Sequence, residues 1–176
     1  MPGAGPLKLR AHDSKDLRAL AVCLQDALVP ISDIAYLKPD KRFVMLANRF
    51  MWESSAQSAL DPATAPEPVP ADQARDAKFD ETGAGPVYQR VNCALTFDWV
   101  RRVRFRDLVP GQTDQILSLL TIEAEPGGIT LVFSGGGAIR LEVSGIRCHL
   151  EDLGEPWPTR WRPSHAEAET APPESG

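Results

Sequence analysis

The sequence is poor in the residues that most often carry chemistry. Its 176 residues include three cysteines and three histidines. Cys23, Cys93 and Cys148 are odd in number and far apart, with no CxxC or CxxH pair, so neither a disulfide framework nor a zinc site can be read from them. Free thiols of this kind fit a reducing compartment. No stretch of about 18 apolar residues occurs to span a bilayer, and the opening MPGAGPLKLRAHD lacks the continuous apolar segment of an export signal. The expectation is a cytoplasmic protein with no membrane partner.

Catalytic constellations are lacking as well. Cys148 and His149 are adjacent, but neighbours on a strand point to opposite faces and cannot act together. His149 otherwise reads as a surface histidine beside Arg147, and Asp98, Asp107, Glu123 and Asp152 follow no spacing that singles out an acid and base pair. The glycines of FSGGGAIRLEV precede alternating Ile139, Leu141 and Val143, a strand pattern, whereas a phosphate loop needs a helix N-terminus at that point. They are read as a tight turn. No catalytic residue, metal ligand or cofactor is expected, and the sequence leans away from an enzyme without excluding one.

What is present begins with charge. The net charge is −5, but residues 53 to 86 alone carry −5 and residues 163 to 176 carry −3, which leaves the remainder at +3. The first of these, rich in Ala, Pro, Asp and Glu, has few large apolar side chains to offset its ordering entropy. A single domain over residues 7 to 162 is expected, with a mobile acidic insertion at 53 to 86 and a disordered tail at 163 to 176.

One helix is marked. Asp13 or Ser14 caps it, and Leu17, Leu20, Ala21, Leu24 and Leu28 recur at helical spacing up to a stop at Pro30. The period then changes to two. ISDIAYL and RFVMLANRFMW flank the turn KPDK, and the second of them, apolar on both faces, reads as a central strand. VYQRVNCALTF, WVRRVRFRDL, ILSLLTIEAE, ITLVF, AIRLEV and IRCHLEDL bring the total to about eight strands. The fold class is therefore α+β, mainly antiparallel: a curved sheet or partly closed barrel with one N-terminal helix packed on it. A pleckstrin-homology-like barrel is compatible with this strand count.

Two segments stand out as candidate binding residues. In RRVRFR, Arg102, Arg104 and Arg106 share one face of a strand, about 7 Å apart. Like charges so placed need solvent, facing acids at Asp98, at Asp107 or in the insertion, or an anionic partner. In LGEPWPTRWRPSH, three prolines hold the chain extended around Trp157 and Trp161, which either cover an open end of the sheet or form an exposed aromatic patch.

Two long stretches, LKLRAHDSKDLRALAVCLQDALVPISDIAYLKPDKRFVMLANRFMWE and LTIEAEPGGITLVFSGGGAIRLEVSGIRCHLEDLGEPWPTRWRPSH, resemble the domain-of-unknown-function family numbered 2948, found mostly in alphaproteobacteria. The resemblance covers the chain apart from the insertion and the tail. It implies a small intracellular bacterial protein and transfers no catalytic role to any residue. The function expected from the residues is a non-catalytic binding or adaptor module docking an acidic protein or an anionic, phosphate-bearing ligand, with Arg102, Arg104, Arg106, His149, Trp157 and Trp161 as its candidates. Nucleic acid is disfavoured by the overall acidity and the missing basic aromatic motif. The alternatives are a small-anion protein or enzyme with a pocket in the curved sheet, and a structural subunit of a larger complex.

Overall fold

A computed structural model of the chain describes residues 6–53, 88–108, 114–159 and 163. The expected mobile insertion falls on residues that lie outside the described ones apart from Glu53, and so does the tail apart from Pro163. The described residues form one ten-stranded sheet in which every pairing is antiparallel. The strands are β1 Lys8–Ala11, β2 Ala27–Pro30, β3 Ile34–Leu37, β4 Arg42–Phe50, β5 Tyr88–Phe97, β6 Val100–Arg106, β7 Ile116–Glu125, β8 Gly128–Phe133, β9 Ala138–Val143 and β10 Cys148–Thr159. Their lateral order is β1-β10-β5-β4-β2-β7-β8-β9-β6, with β3 attached to β4. The sheet is curved but not closed; β1 and β6 end this strand order, and the four-residue β3, paired on one side with β4, is a further edge among the described residues.

The helix α1 spans Ser14–Cys23. Asp13 caps it by accepting the Asp16 N–H at 2.8 Å, while the Asp16 carboxylate accepts the N–H of His12. Leu17, Leu20, Ala21 and Leu24 are buried, and the helix packs against β1 and β7. It is shorter than its apolar spacing predicts. The helix ends at Cys23, Asp26 turns the chain at φ 60°, and the Asp26 N–H donates to the Leu119 carbonyl. Leu28 therefore belongs to β2, where it lies between Asn48 and Ser118. An apolar residue at helical spacing can equally be a strand residue, and Ala27 and Val29, buried on one side of β2, decide for the strand. With β2 hidden in the expected helix and β1 only four residues long, eight strands were legible where the described residues form ten.

The rest follows the period-two pattern. Phe43, Met45 and Ala47 of β4 face Phe97, Leu95 and Cys93 of β5 on the core side, and β4 is a central strand, paired with β3, β5 and β2. The run SGGG is a turn between β8 and β9, with Gly135 at φ 79° and Gly136 at φ 90°, and Phe133 N–H donates to the Gly137 carbonyl. Although β6 follows β5 after two residues, it does not pair with it. Trp99 at φ 61° sends the chain across to β9, and the Asp98 carboxylate pins this corner by pairing with Arg42 at 2.7 Å and Arg147 at 3.6 Å. The Arg147 guanidinium also stacks over the Trp99 ring at 5.4 Å. Asp98 thus answers these two arginines and not those of β6.

Candidate functional site

The face of the sheet turned away from the core carries the arginines of β6, set in rungs across four strands. Arg102 lies opposite Glu142 of β9, which lies opposite Gly128 of β8 and then Glu125 of β7. In the next rung Arg104 meets Arg140, then Thr130, then Glu123. In the third, Arg106 meets Ala138, Val132 and Thr121. Positive charge therefore collects at the free edge and acids lie inward.

The arginines are not equally partnered. Arg104 Nε pairs with Glu142 at 2.9 Å, on a diagonal that relieves its repulsion with Arg140. Arg140 Nη1 reaches Glu125 and, at 3.4 Å, the Thr130 hydroxyl. This reach depends on Gly128, since a Cβ there would come within 2.8 Å of Arg140 Nη2. Arg106 has only Asp107, at 4.0 Å with both side chains largely exposed, and Arg102 has no ion pair among the described residues. A groove of about 390 Å³ runs along this edge, lined by Arg104, Arg106 and Arg140, by Glu123 and Glu125, and by Phe105. Planar, permanently charged guanidiniums so arranged suit carboxylate or phosphate oxygens.

The other expected residues lie elsewhere. His149 sits half-buried on β10, opposite Arg10 of β1 and Thr96 of β5, with Cys148 pointing into the core beside it. Trp157, 37% exposed, is also on β10, beyond a bulge after Leu153 and opposite Arg90. Trp161 lies outside the described residues. Neither His149 nor Trp157 lines the arginine groove. Arg140, which does, stood in the sequence as an outward-phase residue of AIRLEV.

A second polar feature is buried. Arg49 has no exposed surface, and its Nε and Nη2 each donate to the Asp152 carboxylate at 2.7 Å, while Nη2 and Nη1 also reach Glu53 at 2.7 and 3.2 Å. Burial acts against the charge, but these hydrogen bonds more than reverse it, so Arg49 holds its proton above the ordinary arginine range. Asp152 also accepts the Leu7 N–H at 3.0 Å, which ties β10 to the residue preceding β1. A cavity of about 200 Å³ opens beside it, lined by Met51, Val91, Asp152, Gly154 and Glu155 among others. With its oxygens engaged by Arg49 and Leu7, Asp152 anchors β4 and the residue preceding β1 to β10.

Close by, Arg90 stacks over Phe50 at 5.8 Å and donates through Nη1 to the Asn48 side chain at 2.9 Å. Burial lowers its proton affinity, partly countered by Asp26. The thiols are quiescent: burial pushes Cys93 up to about 12 and raises Cys148 and, less enclosed, Cys23. Among the described residues no three His, Cys, Asp or Glu side chains come together as a metal site, and no helix is long and apolar enough to cross a membrane.

Compared with known proteins, residues 7–165 match the model of a family described as proteins of unknown function (DUF2948). No curated protein and no solved structure matches the chain.

Proposed function

The chain belongs to this family of proteins of unknown function, and from that premise we propose that it is a non-catalytic binding module whose arginine-edged sheet face docks an acidic or phosphate-bearing partner. One observation carries the reading. Among the described residues Arg102 is unpaired and Arg106 weakly paired, and they flank an Arg104–Arg140 rung at the outer edge, beside an open groove. A stable sheet does not require four cations in two strands, and an incoming anion would relieve their mutual repulsion. The rival with an anion pocket inside the curved sheet has less support: the groove lies on the outer face, and His149 does not reach it. Duplex nucleic acid fits poorly, because Glu123, Glu125 and Glu142 interleave with the arginines and the whole chain is acidic. The reading includes a cytoplasmic location, supported by three cysteines that are all free thiols.

The test replaces Arg102, Arg104 and Arg106 together by Ser and compares the capture of protein and small-molecule partners from the lysate of the encoding organism, with and without nuclease. Three exposed charge pairs at about 0.2–1 kcal/mol each give a loss between roughly threefold and a hundredfold. An unchanged set of partners with unchanged affinity would remove the reading.

A further inference from the structure

Resting on that reading, we infer that the partner is received as an added β-strand along the free side of β6, and that it is an extended peptide alternating acidic and apolar residues. The two ends of the strand order supply the argument, since β3, the other strand paired on one side, is only four residues long. β1 is four residues long, its Lys8 is closed by a 2.6 Å pair with Glu151 of the neighbouring strand, and α1 lies against it. It is blunted in the ways that edges usually are. β6 is seven residues long, and its one irregularity lies between Val100 and Arg102, so Arg102 to Arg106 form a regular run. Among the described residues nothing pairs with its outer side. Alternate residues of an edge strand turn their N–H and C=O groups outward, ready to pair with another chain.

Both faces of this edge are unfinished. On the outer face stand the three arginines. On the core face stand Val103 and Phe105, and Phe105 remains 40% exposed although it lies opposite the fully buried Ile139. The next strand of a sheet would cover it, and among the described residues none does. A strand added beside β6 would place its residues alternately against Arg102, Arg104 and Arg106 and against Val103 and Phe105. Complementarity then fixes its pattern as acid, apolar, acid, apolar, acid. A second copy of β6 does not satisfy this, because pairing the two with their core faces on the same side sets arginine against arginine. A peptide bound this way takes affinity from main-chain hydrogen bonds and selectivity from alternate side chains.

The test titrates the full chain with a labelled Glu-Val-Glu-Leu-Glu-Val-Glu peptide. Three further probes accompany it: the same peptide methylated at every peptide nitrogen, a Val-Leu-Val-Glu-Glu-Glu-Glu rearrangement of equal charge, and a twelve-residue oligothymidylate. The alternating peptide is expected to bind at least tenfold more tightly than the other three and to slow amide exchange in residues 101 to 106. Phe105→Ser, with its fold checked by its melting profile, should weaken that peptide several-fold and leave the rearranged one unaffected. Equal binding of the methylated or rearranged peptide would overturn strand addition while keeping an acid-docking face. Preference for the oligonucleotide would overturn the peptide as occupant. If no probe binds the natural protein better than the Arg102, Arg104 and Arg106 to Ser variant, both this inference and the docking function fall.

Discussion

Arg49 lies on the core side of β4, in phase with Phe43, Met45 and Ala47, and Asp152 lies in phase with Cys148 and Leu150 of β10. Removing two charges from water is costly, and the attraction between them offsets the cost only with two-point geometry of the kind seen here. Asp152→Ala leaves the guanidinium buried with only Glu53 to answer it. It should destabilise the protein by about 3–5 kcal/mol in urea unfolding, while Arg49→Met combined with Asp152→Leu recovers most of that loss. A single-mutant cost below about 1 kcal/mol would show that water replaces the carboxylate. The thiols supply a pH prediction. Cys93 in the folded chain titrates near 12, above the ordinary thiol value of 9.0. The stability this provides is complete below the lower value and is lost as the pH climbs from there through the upper one. Unfolding should become easier above about pH 9, and Cys93→Ala should flatten that decline in alkaline denaturation profiles. At pH 8 a thiol reagent should label Cys23 slowly and leave Cys93 and Cys148 untouched until the chain unfolds.

At the scale of elements, turns decide where the chain goes. Gly135 and Gly136 take positive φ between β8 and β9, the conformation for which the glycine run was read as a turn. Gly136→Ala keeps that loop but forces a Cβ into the left-handed region, at about 1–2 kcal/mol. A drop in melting temperature with an unchanged circular-dichroism spectrum would confirm it, and an unchanged melting temperature would contradict it. Strands with a clean alternation, such as β5 with Val91, Cys93, Leu95 and Phe97 inward, were legible because burial on one face imposes the period. β2 was not, because its four residues continued the apolar spacing of α1, and only the Asp26 turn separates the two. The inward phase of Arg49 and Asp152 was also legible in principle. Two opposite charges at core positions of different strands are a signal that they meet.

For the whole molecule, the order of strands turns scattered residues into a face. Arg104 and Arg140 are far apart in the chain and are direct neighbours across β6 and β9, while His149, close to Arg140 in sequence, is carried to β10 beside β1 and β5. A docking face built from exposed guanidiniums should weaken with salt, since screening shortens to about 3 Å at 1 M. Peptide affinity measured at about 0.01 M and 1 M ionic strength is expected to fall at least tenfold, and a salt-independent affinity would remove the arginines from the contact. The antiparallel sheet, the capped helix, the glycine turn and the outward phase of Arg102, Arg104 and Arg106 were readable along the chain, because each follows from the local period of burial and from backbone sterics. Which strands are edges, that β6 pairs with β9 and not β5, and that Arg140 joins the groove came only with the assembled fold. Those depend on contacts between residues distant in the chain, which no local pattern encodes.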